Sequence, residues 1–226
     1  TGFADGDDLL LGSPFDYPKA AKLCLPEDMP QPSSWAYQAA VEEAVREATL
    51  AAGGRTMALF TSHAALRSTA SAVRGGLEAE GIKVLAQGVD GTPRQLVQRF
   101  LEEPSSLLLG TASFWEGVDL AGESLQVLLV ARLPFSVPTE PVFAARSELY
   151  DDSFNEYAVP QAVLRLRQGF GRLIRTSSDR GVAIILDSRI TARRYGRAFL
   201  NSLPPATQAR CSLHDLGEQV RTWIGK

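Results

Sequence analysis

Thr56-Met57-Ala58-Leu59-Phe60-Thr61-Ser62 is the stretch that decides the fold. Its first five residues are a short apolar run of buried-strand character, and Thr61 and Ser62 are N-cap types for a helix running to about Glu80. The unit recurs. Ile82 to Ala86 reads as a strand, and Pro93 to Glu102 as a helix with proline in its first turn, where a missing N–H costs little. Leu107 to Leu109, Leu125 to Val130 and Val182 to Leu186 read as further strands. Such near-continuous apolar runs, alternating with helices, belong to strands buried on both sides. The expected fold class is therefore α/β, three layers with a mostly parallel central sheet and helices on both faces.

The rest of the chain fits around that unit. Trp35 to Ala52 reads as a helix stopped by Gly53-Gly54, a long helix starts near Pro160, and Ile190 to Leu200 reads as one basic amphipathic helix. Residues 1–34, rich in Pro, Gly, Ser and Asp, read as extended or loop structure. The chain opens on Thr1-Gly2-Phe3 with no methionine, so it reads as a piece of something longer.

Composition narrows the classes. The chain has 226 residues, 45% of them hydrophobic, and a net charge of −3. That is ample for a core and argues against a freestanding high-affinity nucleic-acid binder. No apolar run approaches the ~20 residues of a membrane span, and no signal peptide is expected. Cys24 and Cys211 are far apart with no CxxC spacing, and His63 and His214 are isolated. No metal site is expected, and the expected compartment is a reducing, cytoplasmic one. The charge is unevenly spread: residues 165–197 hold nine arginines against Asp179 and Asp187.

Within that basic stretch lies Gln168-Gly169-Phe170-Gly171-Arg172-Leu173-Ile174-Arg175. At helical spacing Gln168, Arg172 and Arg175 fall on one stripe, and Val159, Val163, Leu166, Phe170 and Leu173 on the opposite, core-facing one. Two guanidinium forks aimed the same way suit polyphosphate oxygens; a solvated basic face is the bland alternative. Gly169 and Gly171 should each cost a helix interior roughly 1 kcal/mol, which suggests a close approach at that surface. No lysine follows a GxxxxGK pattern, so the chain carries no phosphate-cradling loop of its own.

Ligands of open parallel sheets gather beyond the carboxyl ends of the strands. Thr61-Ser62 stands at one such end, as a helix cap or as a phosphate contact. Gly110-Thr111-Ala112-Ser113-Phe114-Trp115-Glu116-Gly117-Val118-Asp119 stands at another. Its acids suit a ribose hydroxyl or a magnesium-bound water, Thr111 and its N–H suit a phosphate, and Phe114 and Trp115 read equally well as plugs. Leu133-Pro134-Phe135, with Pro138 and Pro141, is a stiff apolar elbow.

Taken in order, these segments resemble the second RecA-like motor domain of the DinG/XPD branch of superfamily 2 helicases. Phe60-Thr61-Ser62 resembles motif IV, Gly110 through Asp119 motif V, and Gln168 through Arg175 motif VI. Gly12-Ser13-Pro14-Phe15-Asp16-Tyr17 is similar to the segment leaving the first motor domain. The likeness covers about residues 12–203. It implies residues 1–34 as an exit segment and 35–226 as the second RecA-like domain of an ATP-dependent DNA helicase, translocating 5′ to 3′ on single-stranded DNA. It also implies a split active site. ATP and Mg2+ would be held mainly by the first RecA-like domain, a partner on the same polypeptide, with Arg175 as arginine finger, Arg172 supporting it and Gln168 near the nucleotide. Glu116, Gly117 and Asp119 would couple the nucleotide to the DNA side, and Thr61, Ser62 and Thr111 would contact DNA phosphates. Some relatives carry a four-cysteine iron–sulfur cluster or an exonuclease. The cluster's cysteines, like the Walker A lysine and DEAH-type box, are missing from this chain and belong to the first motor domain.

Two alternatives come from other classes. One is a non-catalytic module binding nucleic acid or a partner through the basic 165–197 face. The other is a self-contained doubly wound nucleotide enzyme, for which Gly169-Phe170-Gly171 is a poor fingerprint, lacking the third glycine.

Overall fold

A computed structural model describes residues 13–115 and 125–225. Among them, seven strands form one sheet in which every neighbouring pair is parallel. In chain order they are β1 (Ala21–Pro26), β2 (Thr56–Leu59), β3 (Lys83–Ala86), β4 (Ser106–Gly110), β5 (Val127–Val130), β6 (Gly181–Ile185) and β7 (Thr207–Cys211). Across the sheet the order is β3-β4-β2-β5-β6-β1-β7.

The described helices are α1 (Tyr17–Ala20), α2 (Tyr37–Ala52), α3 (His63–Ala79), α4 (Pro93–Glu102), α5 (Ala112–Trp115), α6 (Pro141–Ser147), α7 (Val159–Phe170), α8 (Arg189–Ala192), α9 (Gly196–Ser202) and α10 (Leu216–Ile224). Strand side chains alternate between two cores. Ala58, Phe60, Leu107, Leu109 and Ile184 meet α2, α3 and α10 on one side. Met57, Leu59, Leu108, Leu128 and Ile185 meet α4, α5, α7 and α9 on the other. The three-layer RecA-like arrangement read from the sequence is the one observed. Local signals hold too. The Ser62 side chain accepts from Ala65 N–H to cap α3, and Thr92 with Gln95 forms a reciprocal capping box that opens α4.

Four local readings change. The segment 1–34 is not all connector: β1 lies inside the sheet, paired with both β6 and β7. Its Ala21, Leu23, Cys24 and Leu25 are buried, a short run that surrounding prolines and acids hide in the sequence. Second, β7 and α10 complete the fold beyond the motifs. They bring Cys211 to the strand beside Cys24, and sharing a hydrogen bond with Cys211, together with burial, pushes the Cys24 thiol pKa upward.

Third, the glutamine–arginine stripe does not continue as a helix. Helix α7 ends at Phe170; the Gly171 N–H closes the last turn onto the Arg167 carbonyl, and those of Arg172 and Leu173 reach back only three residues, to Gly169 and Phe170. Arg172, Leu173 and Ile174 are then buried in succession, which a helical stripe cannot achieve.

Fourth, the helix expected over 190–200 is two, because the chain folds back on itself. Gly196 packs against the Ile190 carbonyl so closely that a Cβ there would lie 1.9 Å from the oxygen. Gly196→Ala should therefore lower unfolding free energy by on the order of 2–3 kcal/mol, seen as a lower urea midpoint at unchanged m-value.

Candidate functional site

The carboxyl ends of β2 and β4 open into a cleft of about 340 Å3, lined among others by Thr61, His63, Thr111, Phe135, Ser136 and Arg165. Thr61 is exposed there, and Ser62, also exposed, lines a neighbouring cleft with Tyr37 and Arg132. Thr111 is only 5% exposed, and its backbone N–H is already taken, donating to Gln87 Oε1 at 2.7 Å. Its hydroxyl donates to the same oxygen at 3.0 Å and lies 3.3 Å from His63 Nε2. What Thr111 can offer a ligand is therefore a shared hydroxyl, not the free N–H expected from the sequence. The sequence does not announce Gln87, and His63, isolated along the chain, meets Thr111 in the fold. The signal for Gln87 was its place directly after β3, one more carboxyl end.

Phe114 and Trp115 are the plugs of the loop, buried at 0% and 3% exposure. The Trp115 indole N–H donates to Phe60 O at 3.3 Å, and its ring packs on Gly169, where a Cβ would stand 3.2 Å from Cε3. The close approach that the glycines announced is thus made at Gly169 by the protein's own tryptophan. Glu116, Gly117 and Asp119 lie outside the described residues.

The motif arginines separate. Arg172 is 6% exposed; its Nη1 donates to the Phe114 carbonyl and its Nη2 to the Trp115 carbonyl at 2.8 Å. The expected place of Arg172 on an open stripe is overturned: its guanidinium clasps the last carbonyls of α5, a cation at a helix carboxyl end. Arg175 is half-buried in the turn that precedes β6, while Gln168 is exposed on the last turn of α7.

Asp179 organises the Arg175 turn. Its Oδ2 accepts from Arg175 N–H at 2.7 Å and Thr176 N–H at 2.8 Å, and its Oδ1 from the Thr176 hydroxyl at 2.7 Å. Burial pushes its pKa up, but these hydrogen bonds outweigh burial and hold it below the usual carboxylate value.

Asp187, fully buried after β6, is a second organiser. It accepts from Leu133 N–H at 2.9 Å and pairs with Arg189 at 2.6 Å, which raises the arginine's pKa. It thereby ties the proline elbow to the exit of β6.

The nine arginines of 165–197 do not share one face. Arg172 is internal, Arg189 is bound to Asp187, and Arg165 reaches Ser136 in the cleft. Arg180 lies over the Trp223 ring at 5.4 Å. These four arginines are therefore withdrawn from the single basic face that a binding module would use, while Arg167, Arg193, Arg194 and Arg197 are exposed. Among the described residues, no three His, Cys, Asp or Glu side chains gather to hold a metal, and no helix is long and apolar enough to cross a membrane.

Comparison with known proteins agrees with this geometry. Residues 45–206 match the family model described as the helicase C-terminal domain. The chain belongs to that family, in its DinG and YoaA branch. This helicase C-terminal domain is 41% identical over 227 residues to the ATP-dependent DNA helicase YoaA of Escherichia coli (strain K12), covering 97% of the chain and 34% of YoaA. It is 39% identical over 217 residues to the ATP-dependent helicase DinG of Mycobacterium tuberculosis (strain H37Rv), covering 91% and 32%. The chain thus spans about a third of the length of these relatives. Among solved structures, an apo form of XPD superposes with a TM-score of 0.60 at 15% identity, over 85% of this chain and 40% of that one. The C-terminal domain of the DEAD-box protein Dbp5 gives 0.51 at 15% identity, over 92% and 99%. At those identities the likeness speaks for the fold alone.

Two expectations follow for this helicase domain. Arg172→Gln should lower unfolding free energy by on the order of 2–3 kcal/mol, since it leaves buried carbonyls without their charged donor. Chemical denaturation measures the loss. Asp179 has a depressed folded-state pKa, so its contribution is complete above the ordinary carboxylate pKa and fades as pH falls through the depressed value. Stability of the wild type should fall in that acid window more steeply than that of Asp179→Asn, followed by denaturation midpoint against pH.

Proposed function

We propose that the chain is the C-terminal motor half of an ATP-dependent DNA helicase that moves 5′ to 3′ on single-stranded DNA, and that Arg175 is its arginine finger. The observation that carries this reading is the division of labour between two arginines three positions apart. Arg172 is committed to the α5 carbonyls. Arg175 stands in a turn whose backbone is fixed by Asp179. A finger must be held in place yet remain able to meet charge developing on a transferring phosphoryl group.

The chain lacks a GxxxxGK loop, so ATP and Mg2+ would be held by the first motor domain, with Arg175 and Gln168 as the residues this chain would turn toward the nucleotide. Arg172 acts through the loop it clasps, as a positioning residue. Glu116, Gly117 and Asp119 remain our choice for the coupling loop. The cleft with Thr61, Thr111, His63 and Arg165 suits the backbone of single-stranded DNA, offering hydroxyls, an imidazole and a guanidinium to the phosphates, with Ser62 in the adjoining cleft.

In the full-length protein, Arg175→Ala should cut DNA-stimulated ATP hydrolysis by about 10³-fold or more while nucleotide binding persists. Hydrolysis near the wild-type rate would remove the finger role. Robust ATP turnover by the 226-residue chain alone would overturn the split site.

A further inference from the structure

We propose that Trp35 is a stacking platform for one base of the single strand, placed where the backbone passes Thr61 and Ser62. The inference rests on the reading of the carboxyl edge as a DNA track and adds to it a contact to a base.

Trp35 is 95% exposed. Trp115, by contrast, is 3% exposed, and Trp223 packs against the core. The indole is not on a loose tail. Pro30 and Pro32 stiffen its loop, Ser34 N–H donates to Gln31 O at 2.8 Å, and Tyr37 N–H to Ser34 O at 3.1 Å. The Ser34 hydroxyl accepts from Ala36 N–H at 3.3 Å. From across the edge Arg132 donates to the Pro32 carbonyl while its guanidinium lies 5.1 Å over the Tyr37 ring. A large aromatic face is thus held out to solvent by a braced loop, so little ordering entropy would be lost when a partner stacks on it.

Its surroundings select the partner. The loop leaves the carboxyl end of β1 and opens α2, and Tyr37, two residues on, lines a cleft of about 130 Å3 with Thr61, Ser62 and Arg132. Neither α2 nor α3 carries an acid in its first turn. The loop's own acids are turned elsewhere, Glu27 to Arg210 and Asp28 to the Leu213 N–H. A bare indole on a loop that is itself tied to Arg132 and leads into a cleft of hydroxyls and a guanidinium matches a nucleotide, whose base has a π-face and whose phosphate is an anion. A protein partner would call for an apolar surround instead.

The test is made on the full-length protein, with a fluorescein-labelled oligothymidylate and anisotropy titration. Trp35→Ala should weaken binding about 5- to 150-fold, the range of one lost aromatic–base stack, with no change in melting temperature. Trp35→Phe should bind close to wild type. On an abasic oligodeoxyribose phosphate, wild type and Trp35→Ala should bind alike. Unchanged affinity in Trp35→Ala, an equal loss in Trp35→Phe, or a loss that persists on the abasic strand would each overturn the inference. The double variant Thr61→Ala/Arg165→Gln separates the two levels. If it weakens binding while Trp35→Ala does not, the track stands and the stacking contact falls; if neither weakens it, both fall.

Discussion

A parallel sheet covered on both faces leaves its chemistry only the edges, and that constraint governs the rest of the molecule. The two cores use the alternate side chains of every inner strand. What remains are the first residues past each carboxyl end: Thr61 after β2, Gln87 after β3, Thr111 after β4, Arg132 after β5 and Asp187 after β6. Because neighbouring strands run in fixed register, these residues from distant parts of the chain arrive along one rim. Without that register, the Gln87 amide could not meet Thr111.

Within this frame the arginines work as fasteners. A guanidinium cannot be buried without acceptors, so each interior arginine marks a place where two segments are tied. Arg172 ties the end of the motif helix to α5, and Arg189 with Asp187 ties the proline elbow to the exit of β6. The same sequence motif thus supplies a buried arginine and, three residues later, a half-buried one in a turn. The clasp fixes where the chain leaves α7, and therefore where the Arg175 turn begins.

The three layers, the parallel sheet and the starts of α2, α3, α4 and α7 were legible in the sequence, because apolar runs, the Ser62 cap and a first-turn proline such as Pro93 act over a few residues. What could not be read depended on distant partners. The helical stripe through Arg172 failed because Leu173 packs against Gly181 and Arg172 on carbonyls nearly sixty positions earlier. The helix over 190–200 broke where Gly196 meets the Ile190 backbone. Strand β1 was missed because its identity as a strand comes from β6 and β7. For the candidate site, Thr61 and Thr111 were found by position beyond strands. His63 and Gln87 were missed as site residues because their meeting with Thr111 exists only once two crossovers are closed.

The place of β1 has a consequence for how the domain is made. Ala21 pairs with Gly181, and Lys22 with Thr207, so a strand that leaves the ribosome early must wait for nearly the whole domain before it finds either neighbour. Such contacts close very long loops, and topologies dominated by them fold slowly. Until then β6 and β7 lack the strand that separates them, and their unpaired edges stay open to pairing with other chains. A cut placed at residue 34, where composition alone would divide the chain, would make that transient gap permanent.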